Sequence, residues 1–128
     1  MNTRDSVISR ELRSRMNDIR QTADGEYACV IHFDPAFRGF EGHFEGNPIV
    51  PGVCLIEAAR VFAEEVLKAR LETRTFKQCR FRRPIFADEK ADVKLKLDAD
   101  GPGAWKTQTE IRVEGVVSAQ VRLRAEEL

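Results

Sequence analysis

The chain has 128 residues, with 21 Lys and Arg balanced by 21 Asp and Glu, so its formal net charge is zero. A nucleic-acid-binding domain usually carries a basic excess, and this balance disfavours that class. Apolar residues make up 42%, enough for one packed core. No run approaches the ~20 apolar residues of a membrane-spanning helix.

Cys29, Cys54 and Cys79 are odd in number and include no C-x-x-C pair. They are expected as small buried hydrophobes in a reducing compartment, not as zinc ligands or disulfide partners. The N-terminal stretch MNTRDSVISRELRSR has no apolar segment of the secretory kind. A cytoplasmic location is therefore expected, with residues 1–128 forming a single domain.

Along the chain, Val7, Ile8, Leu12 and Met16 recur at roughly helical spacing, which predicts a short amphipathic helix over residues 5–16. Residues 17–22 begin a strand. The Ala23-Asp24-Gly25 turn leads into YACVIHF, residues 27–33, so the two segments predict a hairpin. Residues 34–51 contain Gly39, Gly42 and Gly46 with Pro35, Pro48 and Pro51, and show no clear period. A compact domain rarely keeps so long an irregular loop without a functional reason.

The longest predicted helix starts near Pro51-Gly52 and runs to about Leu71, with Thr73 to Thr75 ending it. Leu55, Ala59, Phe62, Ala63 and Val66 fall on one face, with Ile56 and Ala58 at its edges. Strands follow at 76–83 and at 91–99, where Val93, Leu95 and Leu97 alternate with charged residues. Asp100-Gly101-Pro102-Gly103 is a turn. Trp105, Thr107, Thr109, Ile111 and Val113 share a face of the next strand, and Ala119, Val121 and Leu123 share a face of the last. One long apolar helix needs cover, and an antiparallel sheet wrapped around it supplies that cover, giving an α+β fold.

The chemistry-bearing residues gather in FEGHFEGNPIVPGVCLIEA, residues 40–58. His43 lies between Gly42 and Gly46, beside the apolar Phe44. An imidazole with an ordinary pKa near ~6.5 accepts a proton at neutral pH, although a lone loop histidine also serves as a local cap. Gly52 stands where a helix N-terminus exposes backbone N–H groups that could hold a developing oxyanion; an ordinary Pro-Gly turn is the plainer reading. Glu57 lies nearly opposite the apolar face, in line with Arg60, Glu64 and Lys68. By periodicity alone this is an exposed ion-pair ladder. A catalytic Glu57 requires something to cover that stripe, and a second subunit is the obvious candidate. His32 reads as a packed or surface histidine. Arg80, Arg82 and Arg83 read as a solvated strand end or, more sharply, as a docking patch for an acidic carrier.

This stretch resembles the signature loop and central helix of the 3-hydroxyacyl-acyl-carrier-protein dehydratases of type II fatty acid synthesis. That family's pattern runs G-H-F-P, then P-x-x-P-G-V, then an acid followed by alanine. Gly52 and Glu57 follow His43 by nine and fourteen residues, as in the family. CRFRRPIFADE, residues 79–89, is similar to the family's F-K/R-R-P strand and turn. The resemblance runs from about Tyr27 to the C-terminus.

The resemblance implies a hot-dog fold and a homodimer with composite sites, His43 coming from one subunit and Glu57 from the other. His43 would remove the C2 proton of a (3R)-3-hydroxyacyl thioester carried on the phosphopantetheine of an acyl carrier protein. The Gly52 N–H would polarise the thioester carbonyl, with Phe44 and Val53 also binding substrate. Glu57, protonated or acting through water, would help the C3 hydroxyl leave. No metal or redox cofactor is implied.

The chain departs from the family pattern at Glu45, at Val61 and in MNDIRQT, which replaces an apolar N-terminal strand. A specialised dehydratase, as for polyketide or aryl polyene synthesis, is one reading of these departures. A hot-dog acyl thioesterase and a non-catalytic acyl-carrier-binding subunit are the alternatives.

Overall fold

A computed structural model describes residues 6–41 and 48–128. Helix α1 spans Val7–Ser14. Ser6 caps it, its hydroxyl accepting the Ser9 backbone N–H at 3.1 Å. Strand β1, Met16–Ala23, then pairs antiparallel with β2, Glu26–Phe33, forming the expected hairpin. Gly25 takes φ +70° at the turn, a conformation that glycine adopts without steric cost.

The described part of the long loop is pinned by aromatic side chains. Phe37 meets Phe33 and Phe40 edge-on, with ring centroids 5.3 and 5.5 Å apart. A single 3-10 turn, Arg38–Phe40, lies within it.

Helix α2, Gly52–Leu67, crosses the inner face of the sheet. It ends four residues earlier than its apolar pattern predicts, because Lys68 adopts a left-handed conformation at φ 54°. The chain then turns directly into strand β3, Leu71–Phe81. Thr73 and Thr75, expected to end the helix, pair in β3 with Ala125 and Arg124. Their β-branched side chains suit a pleated strand, and the last strand offers them a partner that no local pattern reveals.

Strands β4, Glu89–Ala99, β5, Ala104–Val113, and β6, Val116–Glu127, complete a six-stranded antiparallel sheet ordered β1-β2-β4-β5-β6-β3. Alternation survives intact: Val93, Leu95, Leu97, Ile111, Val113, Ala119, Val121 and Leu123 are all buried. Register aligns them into rows across the sheet. One row runs Cys29, Val93, Ile111, Ala119, Phe81, each residue paired with the next. Against these rows pack Ala58, Val61, Phe62 and Ala63 of α2.

The helix is buried over more of its circumference than one apolar stripe implies. Arg60 and Glu64, expected in an exposed ladder, are 6% and 5% accessible. Their cover is α1 of the same chain, which docks on α2 through Arg13. That guanidinium donates to Glu64 at 2.8 Å and to Glu65 at 3.0 Å. A second subunit is not what covers this part of the stripe. Cys29 and Cys54 are buried thiols, and burial pushes them up to about 12 and about 11; Cys79 is half-buried and also raised by burial.

Lys68→Gly should raise stability by about 0.5–1 kcal/mol. Relief of the ~1–2 kcal/mol left-handed strain outweighs the extra backbone entropy that glycine loses, ~0.5–1 kcal/mol. A higher urea midpoint at unchanged slope is the expected reading.

Candidate active site

Two local features prepare the N-terminus of α2. Pro51, at φ −60°, occupies the cap position, and its carbonyl accepts the Cys54 N–H at 2.9 Å. The N–H groups of Gly52 and Val53 belong to the first turn, which has no carbonyl one turn back to bond. The segment before the helix is held in place: Val50 N–H donates to the Ile85 carbonyl at 2.8 Å, and Ile49 bridges to Phe86.

Gly52 lets the Phe81 ring approach closely, and any larger residue would make that half-exposed ring give way by a few tenths of an ångström. A Cβ there would stand 3.0 Å from Cζ of Phe81, whose ring lies against the start of the helix. Phe81 shares the row described above, so strand register delivers an aromatic wall to the helix end. Together these residues border a cleft of about 270 Å³. Its lining is mainly apolar, from Ile49, Val50, Leu55, Phe81, Pro84 and Ile85, with Gly52 at the helix end. Ser118 also lines it; its hydroxyl is buried without a hydrogen-bond partner among the described residues. Val53 is 67% accessible at the rim of the helix.

The three candidate docking arginines separate. Arg82 and Arg83 both border the cleft. Arg83 is braced, its guanidinium making two bonds to Glu89, at 2.8 and 2.7 Å, and the pair holds the Glu89 carboxyl below its usual range. Arg82 is exposed and pairs with no carboxylate among the described residues. Arg80 lines a different hollow on the outer face of the sheet, with Lys94, Glu110 and Arg122.

Glu57 lies in the second turn of α2 with its side chain 31% accessible. Oε1 accepts from Arg60 Nε at 2.9 Å, while Oε2 accepts from Arg60 Nη2 and from Ser9 Oγ, each at 2.7 Å. Arg60 Nη1 reaches Glu64 Oε2 at 2.9 Å, and Glu64 accepts the Leu71 backbone N–H at 2.8 Å. Burial works against the Glu57 charge, but the bonds from Arg60 and Ser9 and the charges of Arg60 and Arg13 outweigh it. The carboxyl is held below the usual range.

Sequence reasoning placed Arg60 beside Glu57 in an ion-pair ladder, as observed, but missed Ser9 as a partner and the burial of Arg60. The serine lies 48 residues away in sequence, so no local pattern announces it. His43, Phe44 and Glu45 lie outside the described residues. His32 is the surface histidine expected, with Nε2 2.8 Å from an Asp88 oxygen. Val61 is fully buried in the core, so a polar side chain at that position would lack water.

A carboxylate with a depressed folded pKa contributes stability above its unfolded pKa, ~4.3 for glutamate. That contribution disappears as pH falls through the folded value. The stability gap between wild type and Glu57→Gln should therefore be widest above about pH 5 and narrow on acidification. Urea denaturation across pH 3–7 measures it.

The ApeI-like family, described as ApeI dehydratase, matches residues 19–120. The chain is 26% identical over 95 residues to the 3-hydroxyacyl-[acyl-carrier-protein] dehydratase FabZ of Geotalea uraniireducens, covering 67% of this chain and 66% of that protein. It is 28% identical over 118 residues to FabZ of Anaeromyxobacter sp. (strain K), covering 75% and 76%. The chain thus spans slightly under two thirds of the length of the first of these relatives.

Among solved structures, the dehydratase heterocomplex ApeI:P of Xenorhabdus doucetiae superposes with TM-score 0.73 at 19% identity, covering 88% of this chain and 96% of that one. The E. coli PaaI protein superposes at 0.68 with 15% identity, covering 94% and 87%. The architecture held in common is the hot-dog fold.

Proposed function

Because the chain belongs to the family of ApeI-like dehydratases, we propose that it dehydrates (3R)-3-hydroxyacyl thioesters carried on the phosphopantetheine of an acyl carrier protein. The products are a trans-2-enoyl thioester and water. The observation that carries this reading is the open first turn of α2 at Gly52, facing an apolar cleft, with Glu57 farther along the same helix.

His43 takes the C2 proton. The electron pair of that C–H bond becomes the C2=C3 π bond, and the C3–O bond breaks. Charge that gathers on the thioester oxygen meanwhile is met by the Gly52 N–H and the positive end of the helix dipole. Phe44 and Val53 flank the acyl group. Glu57 helps the C3 hydroxyl leave as water, whose second proton is the one that the imidazole took from C2. Electrons and atoms balance without an oxidant, so no redox cofactor or metal is part of the proposal.

Arg82 is the candidate contact for an acidic carrier, being exposed at the cleft, whereas Arg83 is held by Glu89 and Arg80 stands on the outer face. A homodimer belongs to the same reading. Strand β3 is one of the two outer strands of the sheet and carries the exposed Phe76, an edge suited to pairing with a second copy. The proposed setting is the cytoplasm; among the described residues no helix is long and apolar enough to cross a membrane.

Hydrolysis of the thioester is the second reading. It is favoured by one observation, the Arg60 guanidinium on both oxygens of Glu57, which stabilises the carboxylate form that a water-activating base requires. Incubation with a 3-hydroxyacyl carrier thioester separates the two: enoyl product without free thiol supports dehydration, and free thiol supports hydrolysis. His43→Ala should lower the dehydration rate by ~10²–10⁴-fold, the range of general-base catalysis, and an unchanged rate would remove His43 as the base. Arg82→Glu should weaken carrier binding in a salt-dependent way, while Arg80→Glu should leave it nearly unchanged.

A further inference from the structure

The Glu57 carboxylate is clamped by residues from two helices. The guanidinium of Arg60 meets both of its oxygens in a fork, at 2.9 and 2.7 Å, and this fixes the plane of the carboxylate. Arg60 cannot swing away, because Nη1 is engaged by Glu64 at 2.9 Å and faces the Leu71 carbonyl at 3.4 Å. The second donor is Ser9 of α1, which is 0% accessible. Its Oγ is 2.7 Å from Glu57, 3.2 Å from Arg60 Nη2 and 3.0 Å from Ser6 Oγ. Arg60 has only protons to offer, so the Ser9 hydroxyl proton goes to the carboxylate and its lone pairs face Arg60.

From this geometry we infer that Ser9 and Arg60 are positioning residues, which hold Glu57 as an aimed carboxylate that accepts hydrogen bonds during the reaction and supplies no proton. The inference rests on the dehydratase reading for the reaction itself; the clamp belongs to the fold.

A protonated Glu57 would lose the charge on which Arg60 is seated and would aim its O–H either at these donors or away from them. The low carboxyl range agrees with this. The charged and titratable groups around Glu57 are, among the described residues, Arg13 and Glu11 of α1 and Arg60, Glu64 and Cys54 of α2. None of these is placed to make Glu57 a proton store: the two arginines oppose it, and both glutamates are themselves paired with arginine. Among the described residues no group then rivals the imidazole as carrier of the proton. His43 takes the C2 proton, and that same proton leaves with the C3 hydroxyl as water. Glu57 receives a hydrogen bond from the hydroxyl, or from a water beside it, and orients the leaving group.

The test pairs kinetics with a titration that needs no turnover. kcat and KM would be measured from pH 5 to 9 with a 3-hydroxyacyl carrier thioester, for wild type, Ser9→Ala, Arg60→Lys and Arg60→Met. In parallel, the Glu57 carboxyl carbon would be titrated by NMR in carboxyl-labelled protein and assigned by its loss in Glu57→Gln.

The wild-type carboxyl should titrate below the ordinary glutamate range. Ser9→Ala should lower kcat roughly tenfold with KM little changed, the loss expected from one charge-assisted hydrogen bond. Arg60→Met should move the Glu57 titration upward, and the acid limb of kcat/KM should move with it, so that the variant is most impaired at low pH. Arg60→Lys should restore the titration but not kcat, because an ammonium supplies charge without the fork.

An unchanged Glu57 titration in Ser9→Ala and Arg60→Met would overturn the inference. So would a loss of kcat equal at every pH in Arg60→Met, or a Ser9→Ala enzyme altered only in stability. Should Arg60→Met not fold, the titration shift and the kcat loss in Ser9→Ala decide the matter. A wild-type protein that turns over no hydroxyacyl thioester would refute the dehydratase reading, while the titration would still judge the clamp.

Discussion

A guanidinium buried among acceptors organises much of this molecule. Arg60 lies in the middle of α2, almost without access to solvent. An arginine cannot shed its proton to escape burial, so the surroundings must supply acceptors. Glu57 and Glu64 do so from one turn before and one turn after, and the Leu71 carbonyl and the Ser9 hydroxyl add further contacts. Leaving one charge of such a group unpaired costs ~3–5 kcal/mol. The docking of α1 and the early stop of α2 are therefore parts of one solution. Glu64 could not accept the Leu71 N–H if the helix continued to residue 71.

The same constraint reaches the site. Glu57 shares its carboxylate with Arg60 on one side and lies part-exposed on the other. At the opposite end of the functional stretch, the first turn of α2 opens on an apolar cleft. The cleft exists because strand register sets the half-exposed Phe81 ring against the helix start, and because residue 52 has no side chain to keep that ring away. A charged network and an apolar wall thus flank successive turns of one helix. That separation suits a reaction in which charge develops on an oxygen near one group while a hydroxyl departs near another.

Much of this was legible in the chain before any tertiary contact was known. The alternation in 91–99 and 104–113 reappears as buried and exposed faces of β4 and β5, because a strand with one wet face must alternate. The hairpin at Gly25 and the helix start at Pro51-Gly52 were equally plain, since turn and cap chemistry are local. The stop of α2 was not legible. Its sequence carries no glycine or proline at that point, and a lysine takes the left-handed conformation instead. The exposed ion-pair ladder was a sound inference from spacing alone, yet spacing describes one helix in isolation.

By itself, then, the amino-acid sequence determined the succession of elements, the wrapped-helix architecture and the helix-start motif at Gly52. All of these follow from periodicity, turn residues and short spacings along the chain. Only the tertiary structure decided that Glu57 is a clamped carboxylate and not a surface acid, that α1 of the same chain is the cover over Arg60, and that the three arginines near Pro84 face different surroundings. The first two of these outcomes depend on segments that meet across 48 or more residues. There the cost of burying a charge, weighed against the acceptors another element can bring, determines what a side chain does.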